Sequence, residues 1–453
     1  MGVGRREFVR QAAAAAAALG ARRLAAAPAR LTVAAAGDCI ITRGVRTLDD
    51  PDFRALVRLF QDADAGFANC EMTFHDLAGY PAPTGACGDL NLVADPAIAG
   101  DLAWSGINLM TVANNHGGDY GPDGLLATLA TLRTAGIVAA GGGANLAQAR
   151  APRFRSTPHG RVALVGCTST IRAGSEASPG HAEIRGRPGI NPLHVRTVYT
   201  LPADRLNALR DTQAALDRAA GAPDRSAPGG DVRFLGTLFR EGAQPGASVE
   251  AERADQEAIV AEVVRARREA DLVLVTIHAH ESGRTRAEPA AFLPAFARAC
   301  VDAGADAFFG HGPHVIRGVE LYKDRPIFYS LGNFYFQAET IRQIPEEIYA
   351  NCGITTTAPS DFFNKVMGRM FEEDVYWEAL APRLAFEGGR LVEATLYPVD
   401  LRRQEPPTRR GTPCLARGAI ADRILARTAE LSKPFGTAID AAGGLGRIRL
   451  RQS

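Results

Sequence analysis

Short apolar runs alternate with segments of helical periodicity along most of the chain. A short hydrophobic run bounded by Gly or Pro is typical of a buried strand, and apolar residues repeated every three or four positions are typical of a helix face. Strands are predicted at 31–36, 66–68, 107–112, 161–167, 271–277, 307–309 and 327–331. Helices are predicted at 49–62, 95–102, 206–219, 248–270 and 289–303, and around Leu125, Leu129 and Leu132. The alternation predicts an α/β (α+β) fold.

Three segments depart from this alternation. Residues 171–248 are rich in Gly, Pro and Arg, and we interpret them as an insertion or lid that crosses the top of the sheet. They include a cluster of arginines, Arg172, Arg185, Arg187 and Arg196, of which Arg185 and Arg187 are candidates for binding an anionic substrate, because guanidinium groups match carboxylates and phosphates. The alternative is a surface insertion whose arginines are solvated. The runs at 383–386 and 391–398 predict a hairpin. Residues 401–453 are predicted to be a C-terminal extension of a domain spanning 31–400.

Polar residues follow five of the predicted strands at the point where each strand ends. Each of them alone could be an ordinary turn residue or a hydrogen-bonded loop histidine. Their repetition favours a common site, because α/β proteins gather their sites at the carboxyl ends of strands. Carboxylate, amide and imidazole groups together suit Mn, Fe, Zn or Ni. The residues concerned are Asp38, Glu71, Asn115, His116, His278, His280, His311 and His314.

Composition and charge exclude some classes of function. The chain has 453 residues, 46% hydrophobic and 22% charged, as is ordinary for a globular protein. Lys and Arg total 51 against 50 for Asp and Glu, so no basic surface points to nucleic acid. After the amino terminus, no apolar stretch reaches the roughly 18 residues that a membrane span requires.

The first thirty residues differ in composition from the rest. Arg5 and Arg6 precede Phe8, an alanine run follows at 12–18, and small residues at 25–27 offer a cleavage site. This pattern resembles a twin-arginine export signal over residues 1–30, with an uncleaved Ala-rich tail as the alternative. It predicts export to the periplasm or the cell surface.

The seven cysteines show no CxxC spacing, so neither a zinc ribbon nor a thioredoxin-type site is indicated. Four of them lie in or beside apolar runs and are predicted to be small core residues. These are Cys39, Cys70, Cys167 and Cys300. A disulfide among the remaining Cys87, Cys352 and Cys414 stays open.

Six short motifs together resemble those of a known family. They are AAAGD at 34–38, ANCE at 68–71, VANNHGGDYG at 112–121, VTIHAHES at 275–282, GHGPHV at 310–315 and IFYSLGNF at 327–334. The chain is similar over residues 31–335 to the poly-gamma-glutamate capsule synthesis (CapA) proteins, a branch of the calcineurin-like metallophosphoesterases. The resemblance implies a four-layer fold, in which helices flank a central β-sandwich, and a site for two divalent transition metals, Mn, Fe or Zn.

The resemblance also implies a role for each site residue. Asp38 and His314 would hold the first metal, Glu71 would bridge, and the second metal would take Asn115, His278 and His311. His116 would act as general acid or charge stabiliser, and Asp119 would orient it. His280 would be an extra ligand or a substrate contact, and Asn333 a substrate contact.

The implied function is that of an exported metal-dependent hydrolase or transferase in capsule or poly-gamma-glutamate metabolism. Its expected partners are an anionic polymer or phosphoester substrate and a membrane-bound polyglutamate synthase complex. The alternative is a non-catalytic subunit that binds or assembles polymer. Two departures from the wider superfamily motivate it: the first motif lacks the downstream His of DxH, and Ala279 replaces the usual tryptophan.

Overall fold

The computed structural model describes residues 30–450, apart from residues 86, 224–229 and 357. The predicted export signal lies outside the described residues, except for Arg30, where the first strand begins. No helix in the described part of the chain combines the length and apolarity that crossing a membrane requires.

Strands and helices alternate as predicted through the first three quarters of the chain. The strands are β1 (Arg30–Ile40), β2 (Ala65–Cys70), β3 (Thr73–Phe74), β4 (Val93–Ala94), β5 (Leu109–Thr111), β6 (Val138–Ala140), β7 (Gly142–Gly143), β8 (Arg153–Thr157), β9 (Gly160–Thr168), β10 (Gly189–Ile190), β11 (Val195–Leu201), β12 (Val232–Phe234), β13 (Thr237–Glu241), β14 (Gly246–Ala251), β15 (Leu272–His278), β16 (Ala307–His311), β17 (Val319–Tyr322), β18 (Arg325–Phe328), β19 (Asn333–Phe336), β20 (Glu378–Glu387), β21 (Arg390–Asp400), β22 (Cys414–Leu415), β23 (Ile439–Ala442) and β24 (Leu445–Ile448). The helices are α1 (Pro51–Gln61), α2 (Ala97–Trp104), α3 (Gly121–Thr134), α4 (Leu146–Arg150), α5 (Ala203–Ala219), α6 (Arg253–Arg267), α7 (Phe292–Asp302), α8 (Glu346–Asn351), α9 (Pro359–Phe362), α10 (Gly368–Met370) and α11 (Gly418–Ser432).

Two large sheets stack face to face. The first has the order β23-β24-β21-β20-β1-β2-β5-β6, with β19 on β1 and β22 on β21, and the second has the order β17-β18-β16-β15-β9-β8. Alternate residues of β1 separate into two cores, as the pleat of a strand requires. Val33 and Ala35 pack between the sheets with Phe67, Leu274 and Phe309.

Helices cover the outer face of each sheet. Phe53 and Phe60 of α1 pack on the first sheet, and Val263 of α6 and Phe296 of α7 pack on the second. Each such buried side chain stabilises the fold by about 1.5–3 kcal/mol relative to exposure. The result is helix, sheet, sheet and helix in four layers, which confirms the predicted α/β architecture.

The parallel register brings the polar strand ends together. Asp38 lies opposite both Asn69 of β2 and Asn333 of β19, and His278 of β15 lies opposite His311 of β16. The backbone N–H of Asp38 donates to the carbonyl of Gly332 at 3.1 Å. A Cβ atom on the preceding Gly37 would lie 1.8 Å from that carbonyl oxygen, so this approach requires glycine.

The segment predicted as an insertion has regular structure. Strands β12-β13-β11-β14 form a separate four-stranded sheet. Val195 of β11 and Val249 of β14 pack against the outer core of the second sheet. The helix predicted at 248–270 begins only at Arg253, so its first turn was predicted wrongly. Residues 246–251 pair antiparallel with β11 instead, so pairing between distant segments overrides the local preference of this mostly small-residue stretch.

The C-terminal residues complete the first sheet. Strand β24 pairs with β21, and β22 extends the other end of β21. Ile424 and Leu425 of α11 are buried in the core between the sheets. The predicted hairpin around Gly388 and Gly389 is confirmed as β20 and β21.

One disulfide joins distant parts of the chain. Cys87 and Cys352 are bonded, with Cα atoms 4.7 Å apart. The four cysteines predicted to be core residues are buried and free, and so is Cys414. This pairing resolves the choice that the sequence left open.

Candidate metal centre

The first group of potential ligands forms where β1, β15 and β16 end. Asp38, His278 and His311 are buried, and one donor atom from each lies within 4.8 Å of the others. His278 Nδ1 and His311 Nδ1 face each other at 3.0 Å, and they lie 3.9 and 3.6 Å from Asp38 Oδ1. Two imidazole nitrogens and a carboxylate oxygen converging in this way can bind a transition metal.

A second group adjoins the first. Glu71, His280 and His314 again offer three donor atoms within 4.8 Å of one another. Glu71 Oε1 lies 3.6 Å from His314 Nε2 and 3.7 Å from His278 Nε2, and His278 Nε2 lies 2.9 Å from His280 Nε2. His278 therefore contacts both groups, as expected of neighbouring metal positions.

The structure brings five of the six predicted ligands into the two groups, with Asn115 in the cleft lining beside them, but it groups the five differently from the family-based expectation. His311 lies with Asp38, whereas His314 lies with Glu71. His314 Nδ1 is nevertheless 3.5 Å from Asp38 Oδ2, so the two groups share an edge. His280, predicted as an extra ligand or a substrate contact, takes a place in the second group. The assignment of each ligand to one metal stays a prediction.

Buried oxygen atoms at the centre have no hydrogen-bond partner among the described residues. They are both carboxylate oxygens of Glu71 and the amide oxygen of Asn115. A buried acceptor without a donor costs about 1–3 kcal/mol, and more when it is charged. Divalent cations bind carboxylate and amide oxygens, so the residues present fit a metal pair that would satisfy these atoms.

Burial shifts the pKa values of five residues of the two ligand groups. Burial raises the pKa of Glu71 well above its usual value, and the neighbouring Asp38 carboxylate raises it further. Burial also lowers the pKa values of His278, His280 and His314, and it lowers the pKa of His311 to about 4. The imidazoles are therefore neutral near pH 7, the form in which histidine binds metals.

His116 lies at the mouth of the centre, oriented by Asp119. Its Nδ1 donates to Asp119 Oδ2 at 2.7 Å, and Arg172 Nη1 donates to Asp119 Oδ1 at 2.7 Å. Asp119 is fully buried. Because the carboxylate holds the hydrogen on Nδ1, Nε2 of His116 is the nitrogen left for proton exchange.

His314 is held in an unusual backbone conformation. Its φ is 60°, in the left-handed region that non-glycine residues rarely adopt. Its Nδ1 donates to Asn333 Oδ1 at 2.8 Å, and Asn333 Nδ2 donates to the carbonyl of Tyr376 at 2.9 Å. Asn333 thus positions His314, and its predicted contact with substrate stays a prediction.

A cleft of about 470 Å³ opens onto the centre. Asn115, His116, His280 and His314 line it from below. Other parts of the chain form its walls: Leu90, Leu92, Ile171, Arg172, Arg286, Phe336 and Phe371. A cleft of this size admits a substrate segment to within reach of both groups.

The predicted lid contributes little of the wall that the structure describes. Ile171 and Arg172 line the cleft, whereas Arg185 and Arg187 are exposed and lie outside its lining. Arg187 Nε donates to the carbonyl of Glu176 at 3.0 Å. The substrate-binding role of Arg185 and Arg187 stays a prediction.

Sequence reasoning missed the residues that support the ligands. Asn69 Nδ2 donates to Asp38 Oδ1 at 2.8 Å, and Asn114 Nδ2 donates to Asn69 Oδ1 at 3.0 Å. Asn114 Oδ1 also accepts from the backbone N–H of His116 at 3.0 Å. The only signal for them was their place within the ANCE and ANNH motifs, directly beside the ligands.

The chain is similar in sequence to several known proteins. The uncharacterized protein y4uA of Sinorhizobium fredii (strain NBRC 101917 / NGR234) is 36% identical over 434 residues, covering 92% of this chain and 93% of its own. The capsule biosynthesis protein CapA of Bacillus anthracis is 26% identical over 314 residues, covering 68% of this chain and 60% of its own. The NAD nucleotidase of Haemophilus influenzae aligns over 91% of this chain and 60% of its own, with 10% identity and a TM-score of 0.31, too low to support any argument.

The family model described as bacterial capsule synthesis protein PGA_cap matches residues 32–338. That range contains the two groups of candidate ligands, the His116–Asp119 pair and Asn333. On this match over more than half of its length, the chain belongs to the PGA_cap family of bacterial capsule synthesis proteins.

Proposed function

We propose that this protein is an exported enzyme of the family that binds two divalent metals and hydrolyses or transfers an anionic polymer, with poly-gamma-glutamate as the first candidate. The observation that carries the proposal is the pair of adjacent ligand groups, with both oxygens of Glu71 unpaired beneath an open cleft. A structural core would not retain an unpaired buried carboxylate at that cost.

The chain's own residues account for binding and proton transfer. A bound metal pair supplies Lewis-acid polarisation of the scissile group. His116, with Nδ1 tied to Asp119, can deliver a proton from Nε2 to the leaving group. Arg172 holds Asp119 from the other side, so the imidazole keeps one orientation in the cleft.

The family supports the polymer as substrate class. The relative from Bacillus anthracis is named a capsule biosynthesis protein, and that of Bacillus subtilis a PGA biosynthesis protein. We propose the same acidic polymer for this chain, with a membrane-bound polyglutamate synthase complex as its partner. Co-purification of such a complex with the tagged protein from detergent-solubilised membranes tests the partnership, and its absence from that eluate argues against it.

Export has independent support from the disulfide. Cys87–Cys352 suits an oxidising compartment outside the cytoplasm. Replacing Arg5 and Arg6 by lysine should retain the protein in the cytoplasm. Cell fractionation measures this outcome, and unchanged export of the variant would contradict a twin-arginine route.

Metal analysis and turnover test the central proposal together. We expect about two equivalents of transition metal per purified chain, and metal-dependent turnover of poly-gamma-glutamate or of an aryl phosphodiester. His116→Ala should retain the metal and lose turnover. Less than half an equivalent of metal, unrestored by Mn, Fe or Zn, would refute the metal centre.

The same experiment decides the alternative of a non-catalytic polymer-binding subunit. That alternative predicts metal and polymer binding without turnover, and no difference between the parent protein and His116→Ala. The oriented His116–Asp119 pair favours the enzyme, because binding alone gives no reason to hold an imidazole on a fully buried carboxylate.

A further inference from the structure

In the lining of the cleft above the candidate metal centre, one arginine has no carboxylate partner among the described residues. Its lining includes three charged residues besides histidine, namely Asp89, Arg172 and Arg286. Arg172 is matched by the buried carboxylate of Asp119 at 2.7 Å. Arg286 is exposed at the rim of the cleft. Among the described residues, no carboxylate forms an ion pair with it.

The guanidinium of Arg286 is nonetheless held in place. Its Cζ lies 5.6 Å from the centroid of the Tyr376 ring, within the range of a cation–π contact. Tyr376 is itself buried, and its ring packs edge-on against Phe371 in the cleft wall at 5.1 Å. Stacking on an aromatic face restrains the side chain and leaves its N–H groups free to bind an anion.

The backbone that presents Arg286 is held from below by a buried arginine. Arg317 is fully buried, and its Nε donates to the carbonyl of Arg286 at 3.0 Å. Its two Nη atoms donate to the carbonyls of Ala279 and Glu281, at 3.5 and 2.9 Å. One buried guanidinium thus holds two parts of the same loop together, the part around His280 and the part that carries Arg286.

These contacts give the cleft two separate positions for negative charge. The metal groups lie at its base, where His280 and His314 belong to the ligand set, and Arg286 lies at its rim. A substrate with a single anionic group would occupy only the base. A substrate with regularly spaced anionic groups would place the next one against the arginine.

We propose that Arg286 is a specificity-determining residue that binds a second oxyanion of the substrate, one repeat away from the group that reacts at the metal centre. The proposal rests on the function proposed above and deepens it. It selects polymers whose repeat carries an anion over neutral polymers of the same length. Arg317 is the positioning residue that holds the loop. Carboxylate and phosphate share this chemistry, since both accept paired hydrogen bonds from a guanidinium.

Equilibrium binding tests the proposal without requiring turnover. The probes are a gamma-glutamyl oligomer, the same oligomer with its side-chain carboxylates amidated, and a linear polyphosphate, each titrated into the Mn-loaded full-length protein by calorimetry. Arg286→Ala should weaken binding of an anionic probe about tenfold, the loss expected for one hydrogen-bonded charge pair. Its affinity for the amidated oligomer should not change. Arg286→Lys should fall between the parent and Arg286→Ala.

Arg284→Ala is the matched control, since Arg284 is 93% exposed on the same loop and its side chain is directed to Glu288 at 3.7 Å. It should bind all probes as the parent does, and metal content should be equal in every variant. A loss confined to the gamma-glutamyl oligomer assigns carboxylate to the position, and a loss confined to polyphosphate assigns phosphate.

Three results would overturn the proposal. They are equal affinity of Arg286→Ala and the parent for both anionic probes, an equal loss for the amidated oligomer, and no binding of any probe by the parent. Metal content and turnover of an aryl phosphodiester are measured on the same samples. They report on the proposed function separately, because a monoanionic diester has no second group to contact Arg286.

Discussion

Replacing Glu71 by Gln isolates the effect of charge at the centre. Gln has nearly the same shape as Glu, so the substitution leaves the volume of the buried side chain almost unchanged. The change removes the negative charge from a fully buried group whose two oxygens have no hydrogen-bond partner among the described residues. The metal-free variant should therefore be more stable than the metal-free parent.

The expected change in stability on replacing Glu71 by Gln has two separate contributions. Without metal, removing an unpaired buried charge should stabilise the variant by about 1–3 kcal/mol. With metal at a hundredfold excess over its dissociation constant, the parent gains about 2.7 kcal/mol. Unfolding entropy of about 2.1 cal/mol/K per residue over 453 residues converts that gain into a rise of about 3 °C in Tm. The variant should show no such rise.

The pH dependence has a definite sign. Because burial raises the pKa of Glu71 above its unfolded value of about 4.5, the native state holds the proton more tightly than the unfolded state. The metal-free parent should lose stability as pH rises from about 4.5 through the raised pKa. Glu71→Gln cannot lose that proton, so its advantage over the parent should grow across the same range.

Scanning calorimetry in EDTA and in excess Mn or Zn measures both effects. Glu320→Gln is the matched control, because Glu320 is also buried but accepts hydrogen bonds from Arg298 Nε at 2.9 Å and from Tyr329. It should lower Tm with and without metal and keep the metal-induced rise. The reasoning fails if Glu71→Gln keeps that rise, or if it is destabilised without metal as Glu320→Gln is.

Three further changes probe the surroundings of the centre. Arg317→Met removes three hydrogen bonds from a fully buried guanidinium, and it should lower the free energy of unfolding in urea by about 3 kcal/mol. Asp119→Asn should lower kcat by about 10–100-fold with metal content unchanged, because His116 loses the acceptor that fixes its tautomer. Cys87→Ser with Cys352→Ser opens a crosslink spanning 265 residues and should cost about 2–5 kcal/mol.

A separate result would contradict each of these three predictions. A urea midpoint for Arg317→Met equal to that of the parent would show that the three carbonyls find other donors. An unchanged pH–rate profile in Asp119→Asn would remove that residue from proton transfer. A reducing agent should lower the Tm of the parent but not that of the double serine variant, and equal sensitivity would contradict a structural disulfide.

The sequence predicted where the candidate ligand groups lie, because the pattern of apolar residues marks the ends of strands. The run before Asp38 and the run before His278 are each followed at once by a group that could bind metal. A parallel sheet brings such ends to one edge whatever their order along the chain. The prediction needed only strand positions, which are set by local hydrophobicity.

The same apolar pattern does not predict contacts between segments that are distant in sequence. The helix predicted at 248–270 failed because its first residues form the edge partner of β11, a pairing that periodicity within one segment does not contain. Cys87 could not be assigned to Cys352, since 265 residues separate them and nothing local marks the pair. Both outcomes depend on tertiary packing overriding local preference.

The arginines around the cleft also show that the sequence pattern does not predict tertiary contacts. Arg185 and Arg187 were favoured because they stand among other arginines in the sequence, and their role stays a prediction. Which cations a site offers also depends on which charges the fold leaves unmatched there. Arg172 lines the cleft but is neutralised by Asp119, a partner 53 positions away. Arg286 lies in a polar stretch that shows no motif. It is a candidate for binding an anion because Tyr376 holds its guanidinium and no described carboxylate forms an ion pair with it. The net charge at a site depends on which cations and anions the fold brings together there. The order of charged residues along the sequence does not predict it.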